Sequence, residues 1–131
     1  MQIEVVDLDP VLTEKFVKFC CDEMRVYPDY ITIEGWDEPL KNGATGLCYQ
    51  VNYQEEFLIQ VFKGTRNLTE VYDTVAHEMI HVKQFMTTQD LEAQLSSIHK
   101  PIYEERWWEK EASKKSFGLV KKYVDMLYDM G

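Results

Sequence analysis

The sequence has few cysteines and no long hydrophobic run. Its three cysteines, Cys20, Cys21 and Cys48, form neither an even set nor a CxxC pair. This argues against a disulfide framework, and we expect reduced thiols packed as small apolar side chains. No stretch approaches the ~18 apolar residues that a membrane span needs. Residues 1–7 lack the basic start and apolar core of a secretory signal, so we expect a soluble, cytoplasmic protein without a membrane partner.

Positive charge is also scarce. Lys and Arg number 14 against 23 for Asp and Glu, which gives a formal net charge of -9. Binding to nucleic acid relies on cations that contact phosphates, so this balance argues against nucleic-acid partners and anionic membrane surfaces. The 131 residues are 45% hydrophobic, enough for one compact core. We predict a single domain spanning residues 1–131.

The first half of the chain alternates between helical and extended patterns. Apolar residues recur at helical spacing over residues 12–24, after an Asp9-Pro10 start typical of a cap and a first turn. Turn residues surround a possible short strand, Tyr30 to Trp36. Period-two alternation over residues 45–53 predicts a strand, and an apolar run follows at residues 57–62. The short connection between them predicts an antiparallel hairpin.

The second half is predicted to be helical. Asn67 and Glu70 have the spacing of a capping box, so a helix should begin there and run to about Met86. Residues 87–101 form a looser segment with some helical character, and a long final helix is expected over residues 104–128. The predicted fold class is α+β, with an N-terminal helix, a small antiparallel sheet and two later helices.

The predicted helix after Asn67 contains the sequence HExxH, formed by His77-Glu78-Met79-Ile80-His81. At about 100° per residue, His77 and His81 lie about 40° apart on one face, so both rings can bind one metal ion beside Glu78. The alternative is a pair of histidines with ordinary structural roles. A separate face of the same helix carries the apolar residues expected to pack, namely Val71, Val75, Val82 and Met86.

Catalytic zinc sites hold three protein ligands and keep a further position for water, so two histidines are not enough. The remaining histidine, His99, precedes Lys100-Pro101 in a predicted loop. Its distance does not match the metzincin pattern HExxHxxGxxH, in which Gln84 and Thr87 would occupy the glycine and histidine positions here. A metzincin is therefore not favoured.

Two glutamates at the start of the last helix compete for the place of third ligand. On a helical wheel, Glu109 lies within about 80° of the apolar stripe, whereas Glu111 lies about 200° from Glu109, beside Lys115 and Lys122. An inward carboxylate needs a charged partner such as zinc, while Glu111 has the ordinary interpretation of a solvated helix charge. The pattern favours Glu109. The stripe consists of Ala112, Ser113, Ser116, Leu119, Val120, Tyr123, Val124 and Leu127.

This arrangement, HExxH on one helix and a glutamate on a later helix, resembles the gluzincin group of zinc metallopeptidases. The small size is similar to that of the minigluzincins. The sequence Glu109-x-Glu111-Ala112 resembles the E-x-E-A pattern of ImmA/IrrE-type and HtpX-type peptidases, in which the first glutamate binds metal. The resemblance covers roughly residues 45–120.

A more distant resemblance connects the chain with the SprT-like proteases. It rests on Gln84, three residues after the second histidine of HExxH. Those proteases usually complete the metal site with a third histidine. In this chain His99 would have to take that role.

The resemblance to gluzincins implies a zincin-like fold and a mechanism that the residue types also support. Zinc held by His77, His81 and Glu109 would lower the pKa of its water towards ~7. Glu78 would act as the general base, taking the proton from water and passing it to the leaving amine. The resemblance therefore implies zinc as the cofactor and a peptide or protein as the substrate.

The same resemblance suggests residues that support the reaction. Gluzincins commonly place Asp or Asn four residues after the ligand glutamate, hydrogen-bonded to a zinc histidine, and Ser113 occupies that position here. Tyr103 and Tyr123 are candidates for stabilising the oxyanion, with core packing as the alternative for each. The strand at residues 57–62 is expected to be the sheet edge that lines the cleft, or else plain core scaffold.

The function predicted from these residues is zinc-dependent hydrolysis of peptide bonds. The alternative is a non-enzymatic regulatory or partner-binding protein that retains a metallopeptidase fold. A third possibility is a zinc hydrolase that acts on something other than peptides. Zinc bound without turnover would favour the non-enzymatic alternative.

Overall fold

A computed structural model describes residues 1–51, 55–87 and 107–130, with no side-chain description of residues 129 and 130. The elements in chain order are β1 (Gln2–Val6), α1 (Pro10–Met24), β2 (Tyr30–Trp36), a short 3-10 turn (Lys41–Gly43), β3 (Gly46–Gln50), β4 (Glu56–Phe62), α2 (Leu68–Thr87) and α3 (Trp107–Met130). The predicted α+β class is confirmed. The looser segment predicted at residues 87–101 lies almost wholly outside the described residues, as do His99 and Tyr103.

The four strands form one mixed sheet in the order β1-β2-β4-β3. The predicted hairpin is confirmed, because β3 pairs antiparallel with β4. The expectation of a wholly antiparallel sheet is wrong, because β1 pairs parallel with β2 and β2 pairs parallel with β4. Parallel neighbours need a crossover connection, and α1 provides it between β1 and β2. The expectation that residues 57–62 form a sheet edge is also wrong, since β4 is internal and the edges are β1 and β3.

The sheet buries one of its two faces. Ile31 and Ile33 of β2 pair in register with Phe57 and Ile59 of β4, and all four side chains are buried. Their neighbours along each strand are only partly buried, as the period-two geometry of a strand requires. The buried face packs against the helices and forms the core of the molecule.

The helix starts follow the local signals in the sequence. Asp9 accepts a hydrogen bond from the backbone N–H of Leu12 at 2.8 Å, and Pro10 opens α1. At the start of α2, the Glu70 N–H donates to the Asn67 side chain at 2.9 Å, and Glu70 accepts from the Asn67 N–H at 3.2 Å. The predicted capping box is therefore confirmed.

The apolar faces predicted for the later helices pack as expected, with two exceptions on α3. Val71, Val75 and Val82 of α2 are buried, and Met86 packs against the same core. On α3 the stripe is narrower than the wheel suggests, because Ser113 and Leu127 are exposed. The buried members of the α3 stripe are Ala112, Ser116, Val120 and Tyr123.

Aromatic rings join α1, α2 and α3 in the core. The rings of Phe16 and Tyr72 stack with centroids 4.5 Å apart, and Tyr123 meets Phe16 at 5.1 Å and Phe19 at 5.0 Å. Such pairs stabilise the core beyond the area they bury. Among the described residues, none of the helices has both the length and the apolar character needed to cross a membrane.

Candidate metal centre

The HExxH sequence lies in the middle of α2 and turns its two histidines to the same side. The rings of His77 and His81 have centroids 4.9 Å apart, and their planes meet at 74°. Ligand atoms of His77, Glu78 and His81 lie within 4.8 Å of one another. The three residues therefore form a group that could bind a metal ion.

Helix α3 brings a second carboxylate to the two histidines. Glu109 Oε1 lies 2.5 Å from His81 Nε2, and Glu109 Oε2 lies 3.7 Å from His77 Nε2. The side chain of Glu109 is only 12% exposed. Glu111 instead accepts a hydrogen bond from Gln84 and pairs with Lys115 at 3.5 Å. Of the two glutamates that the sequence left in competition, Glu109 is the one that reaches the histidines.

A buried glutamine fixes the orientation of the His81 ring. Gln84 Nε2 donates to the carbonyl of Trp108 at 2.8 Å and to the carboxylate of Glu111 at 3.1 Å. Because both partners only accept, the amide oxygen must be the atom that faces His81 Nδ1, 2.7 Å away. Nδ1 therefore donates its N–H to Gln84. His81 Nε2 is then the nitrogen available for a proton shared with Glu109 or for a metal ion.

The electrostatic surroundings of His81 favour its charged form. Burial alone would lower the pKa of His81, but the hydrogen bond to Glu109 and the charges of Glu78 and Glu109 outweigh burial and raise this pKa. A histidine that donates from both nitrogens is an imidazolium cation. In the absence of a metal, the additional proton on His81 thus balances part of the negative charge of Glu78 and Glu109.

Glu78 is more deeply buried than the other members of the group, with 5% of its surface exposed. Burial raises the pKa of Glu78 to about 7, although the neighbouring histidines act in the opposite direction. Strand β3 runs directly against this carboxylate at Gly46. A Cβ atom at position 46 would lie 2.9 Å from Glu78 Oε1 and 2.6 Å from a methyl carbon of Thr74. Only glycine fits this approach without displacing the carboxylate.

Two cavities lie beside the Glu78 and Glu109 carboxylates. The larger, of about 650 Å³, is bounded by residues 42–47 on one side and by His77 on the other. The smaller, of about 160 Å³, reaches Gln84 and Trp108. Gly46, Leu47, Glu78 and Glu109 line both cavities. Both cavities therefore lie between the edge strand β3 and the candidate metal centre.

An arginine that the sequence analysis did not single out is fixed at the rim of the larger cavity. Arg66 donates to the backbone carbonyls of Phe62 and Glu70 at 2.9 and 2.8 Å and to the hydroxyl of Thr74 at 2.7 Å. These bonds join the end of β4 to the first turns of α2. Arg66 thus places a fixed positive charge beside the cavity that His77 and Glu78 line.

Of the three supporting residues expected from the sequence, Ser113 and Tyr123 lie elsewhere, and Tyr103 is outside the described residues. Ser113 is exposed and lines a different cavity, together with Arg66 and Phe117, and the side chain that contacts Nδ1 of His81 is Gln84. Tyr123 packs in the aromatic core cluster. The signal for Gln84 was its position three residues after His81, which places two side chains on one helical face. Its partners on α3 were not visible in the sequence.

Comparisons with models of protein families, with curated proteins and with solved structures found no match to this chain. No family membership follows from them. The similarity to gluzincins therefore stays a prediction from the residues and their spacing.

Proposed function

We propose that the protein is a zinc-dependent metallopeptidase, with His77, His81 and Glu109 as the metal ligands. The observation that carries this proposal is the position of the Glu109 carboxylate, which comes from α3 and meets the Nε2 atoms of both α2 histidines. The two helices are separated in sequence, so the three groups converge only in the folded chain. Together they supply the three protein ligands of a catalytic zinc site.

The donor set fits zinc better than the hard cations. Two imidazole nitrogens and one carboxylate oxygen are common ligands of Zn²⁺, whereas Ca²⁺ and Mg²⁺ prefer shells made of oxygen. Gln84 supports this choice. It binds Nδ1 of His81, and this leaves Nε2 of the same ring facing Glu109 and available to a metal ion. Zinc bound to these residues would supply Lewis-acid activation of a water molecule and of the scissile carbonyl.

Glu78 is proposed as the general base. It shares both cavities with Glu109, and its pKa of about 7 is suited to accepting and returning a proton near neutral pH. Its burial excludes bulk water from one side of the carboxylate. Glu78 would take a proton from the attacking water and donate it to the leaving amine.

The edge strand β3 favours a peptide as the substrate. It pairs with β4 on one side, and its residues Gly46 and Leu47 line both cavities beside Glu78. An extended peptide can add to such an edge through backbone hydrogen bonds, which brings a carbonyl to the cavity without demanding one side-chain sequence. In this arrangement the role expected for residues 57–62 passes to residues 46–50.

The first experiment measures zinc and cleavage together. We expect the wild-type protein, purified without added metal and then reconstituted, to bind one zinc ion per chain and to cleave an unfolded protein substrate. Glu109→Ala should lose both properties. Asp125→Ala is the matched control on the same helix, because Asp125 is 63% exposed and pairs only loosely with Lys121 at 3.8 Å.

Two results would contradict the proposal. Zinc bound equally well by Glu109→Ala would remove Glu109 from the ligand set. Zinc bound by the wild type without cleavage of any peptide in a diverse library would favour the non-enzymatic alternative over the peptidase.

A further inference from the structure

A further cavity, of about 450 Å³, lies where α2 and α3 meet the end of α1, and several positive side chains line it. Arg25, Lys83, Lys115 and Lys122 all line this cavity, against a single lining carboxylate, Glu23. These four are among only 14 Lys and Arg residues in a chain of net charge -9. The cavity shares no lining residue with the two cavities beside Glu78, so it forms a separate site, here called the basic cavity.

The positive charge in the basic cavity is only partly balanced. Lys122 pairs with Glu23 at 2.6 Å, and Lys115 pairs with Glu111 at 3.5 Å. Within residues 1–51, 55–87 and 107–130, Arg25 and Lys83 form no ion pair, and Lys83 is half-buried. A half-buried cation without a counter-charge is unfavourable. A bound anion would supply the missing negative charge.

The wall of the basic cavity contains a glycine that local packing does not require. Gly118 lies in the interior of α3, where glycine is less favourable than alanine. A Cβ atom built on Gly118 would have no described neighbour within 4 Å. The backbone there is not in the left-handed region either, so conformation does not demand glycine. What its missing side chain provides is open space at the cavity wall.

The basic cavity also has apolar lining residues. Met24, Ile80 and Leu119 line it together with the four cations. A ligand that fits this surface has a compact apolar part and several negative charges. The volume lies within the range of cavities that hold small organic molecules.

We propose that the basic cavity binds a small organic anion that carries two or more phosphate groups. Lys and Arg side chains suit phosphate oxygens, and four of them placed around one space suit a multivalent anion better than a single carboxylate. The apolar part of the ligand would contact Ile80 and Leu119, beside the open space at Gly118. This proposal does not rest on the proposed peptidase activity, because none of the lining residues is a proposed metal ligand or the proposed base.

The test uses ATP as the probe and isothermal titration calorimetry on the full-length protein at fixed salt. We expect saturable binding of ATP, weaker binding of tripolyphosphate, which lacks the apolar part, and no detectable binding of adenosine. Lys122→Gln should weaken ATP binding by roughly tenfold or more, because a hydrogen bond to a charged group is lost. Lys121→Gln is the matched control, since Lys121 is the next residue on α3 and does not line this cavity.

A second variant separates the cavity from general attraction between charges. Gly118→Leu keeps all four cations, and leucine favours the helix more than glycine, so the protein should fold normally while the cavity is filled. We expect this variant to lose ATP binding. If Gly118→Leu binds ATP as tightly as the wild type, or if the wild type shows no saturable binding at millimolar ATP, the proposal is overturned.

Discussion

Around the metal centre, the charged groups are largely buried and lie close together, whereas around the basic cavity all but Lys83 are exposed and they are only partly paired. Glu109 contacts His81 at 2.5 Å with both side chains 12% exposed, and Glu78 is only 5% exposed. Lys115 and Lys122 keep more than half of their side-chain surface in solvent. Burial strengthens electrostatic interactions and perturbs pKa values, while solvent screens them. The same kind of substitution should therefore have large effects at one site and small effects at the other.

The largest effect is expected for Glu78→Gln. This change removes the proposed general base while keeping the size of the side chain, so kcat/KM for peptide cleavage should fall by about 10²–10⁴-fold. Zinc content, measured on the same preparation, should be retained. Glu14→Gln is the control, because Glu14 lies on α1 and its side chain is 44% exposed. Unchanged cleavage by Glu78→Gln would exclude Glu78 as the base.

The same substitution should stabilise the metal-free protein at alkaline pH. Burial raises the pKa of Glu78 from 4.5 to about 7, so the folded state holds this proton more tightly than the unfolded state does. The stability of the wild type should therefore fall as the pH rises from 4.5 to 7, by about 3 kcal/mol in total. Glutamine at position 78 does not ionise, so the variant does not lose stability in this way as the pH rises.

Urea denaturation in the presence of a chelator measures this difference. Glu78→Gln should be more stable than the wild type by about 3 kcal/mol at pH 8.5, and by only about 1 kcal/mol at pH 5.5. A stability difference that does not change between these two pH values would show that ionisation of Glu78 is not its source.

A smaller effect is expected for Gln84→Leu, which removes the side chain that orients His81. Gln84 is 2% exposed and bonds to His81 Nδ1, to the Trp108 carbonyl and to Glu111. Loss of such a supporting contact should weaken zinc binding by roughly 10–100-fold. Competition with a chromophoric chelator measures this, with the exposed Thr87→Ala on the same helix as the control. Equal affinities for both variants would mean that the ring of His81 is held by other contacts.

The smallest effect is expected for the folding stability of Lys122→Gln. Its pair with Glu23 is exposed, with the Lys122 side chain 64% accessible, and such pairs contribute at most about 1 kcal/mol. Thermal unfolding should therefore change little, even though the proposed binding of ATP is weakened. A large loss of stability would show that the ion pair of Lys122 with Glu23 contributes more to folding than an exposed pair does.

Local signals in the sequence predicted much of the fold. The cap at Asp9, the capping box of Asn67 and Glu70 and the β3–β4 hairpin depend on residues close in sequence, and each is present. Strand β1 was missed because Gln2–Val6 is a short edge strand with no fully buried residue. The expectation of an antiparallel sheet was wrong because parallel pairing joins residues far apart in the chain, which periodicity does not report.

The candidate site was predictable to the extent that it depends on helical faces. The wheel placed Glu109 on the inward stripe, and the structure brings it to His77 and His81. The role of Gln84 in holding His81 was missed, although the residue itself was noted, because that role depends on partners from α3, the Trp108 carbonyl and Glu111. Backbone acceptors cannot be located before the helices are docked. Contacts between helices, rather than patterns within them, were therefore the part that sequence reasoning could not supply.

The close approach at Gly46 links the register of the hairpin to the position of the Glu78 carboxylate. Gly46 pairs with Val61 in the observed register. A slip of one residue would place Thr45 or Leu47 where only a hydrogen atom fits, and would turn Cys48, which packs against the core, to the other face of the sheet. A misaligned hairpin would thus displace Glu78 as well as lose core packing. The correct position of the Glu78 carboxylate therefore depends on the correct pairing of β3 with β4.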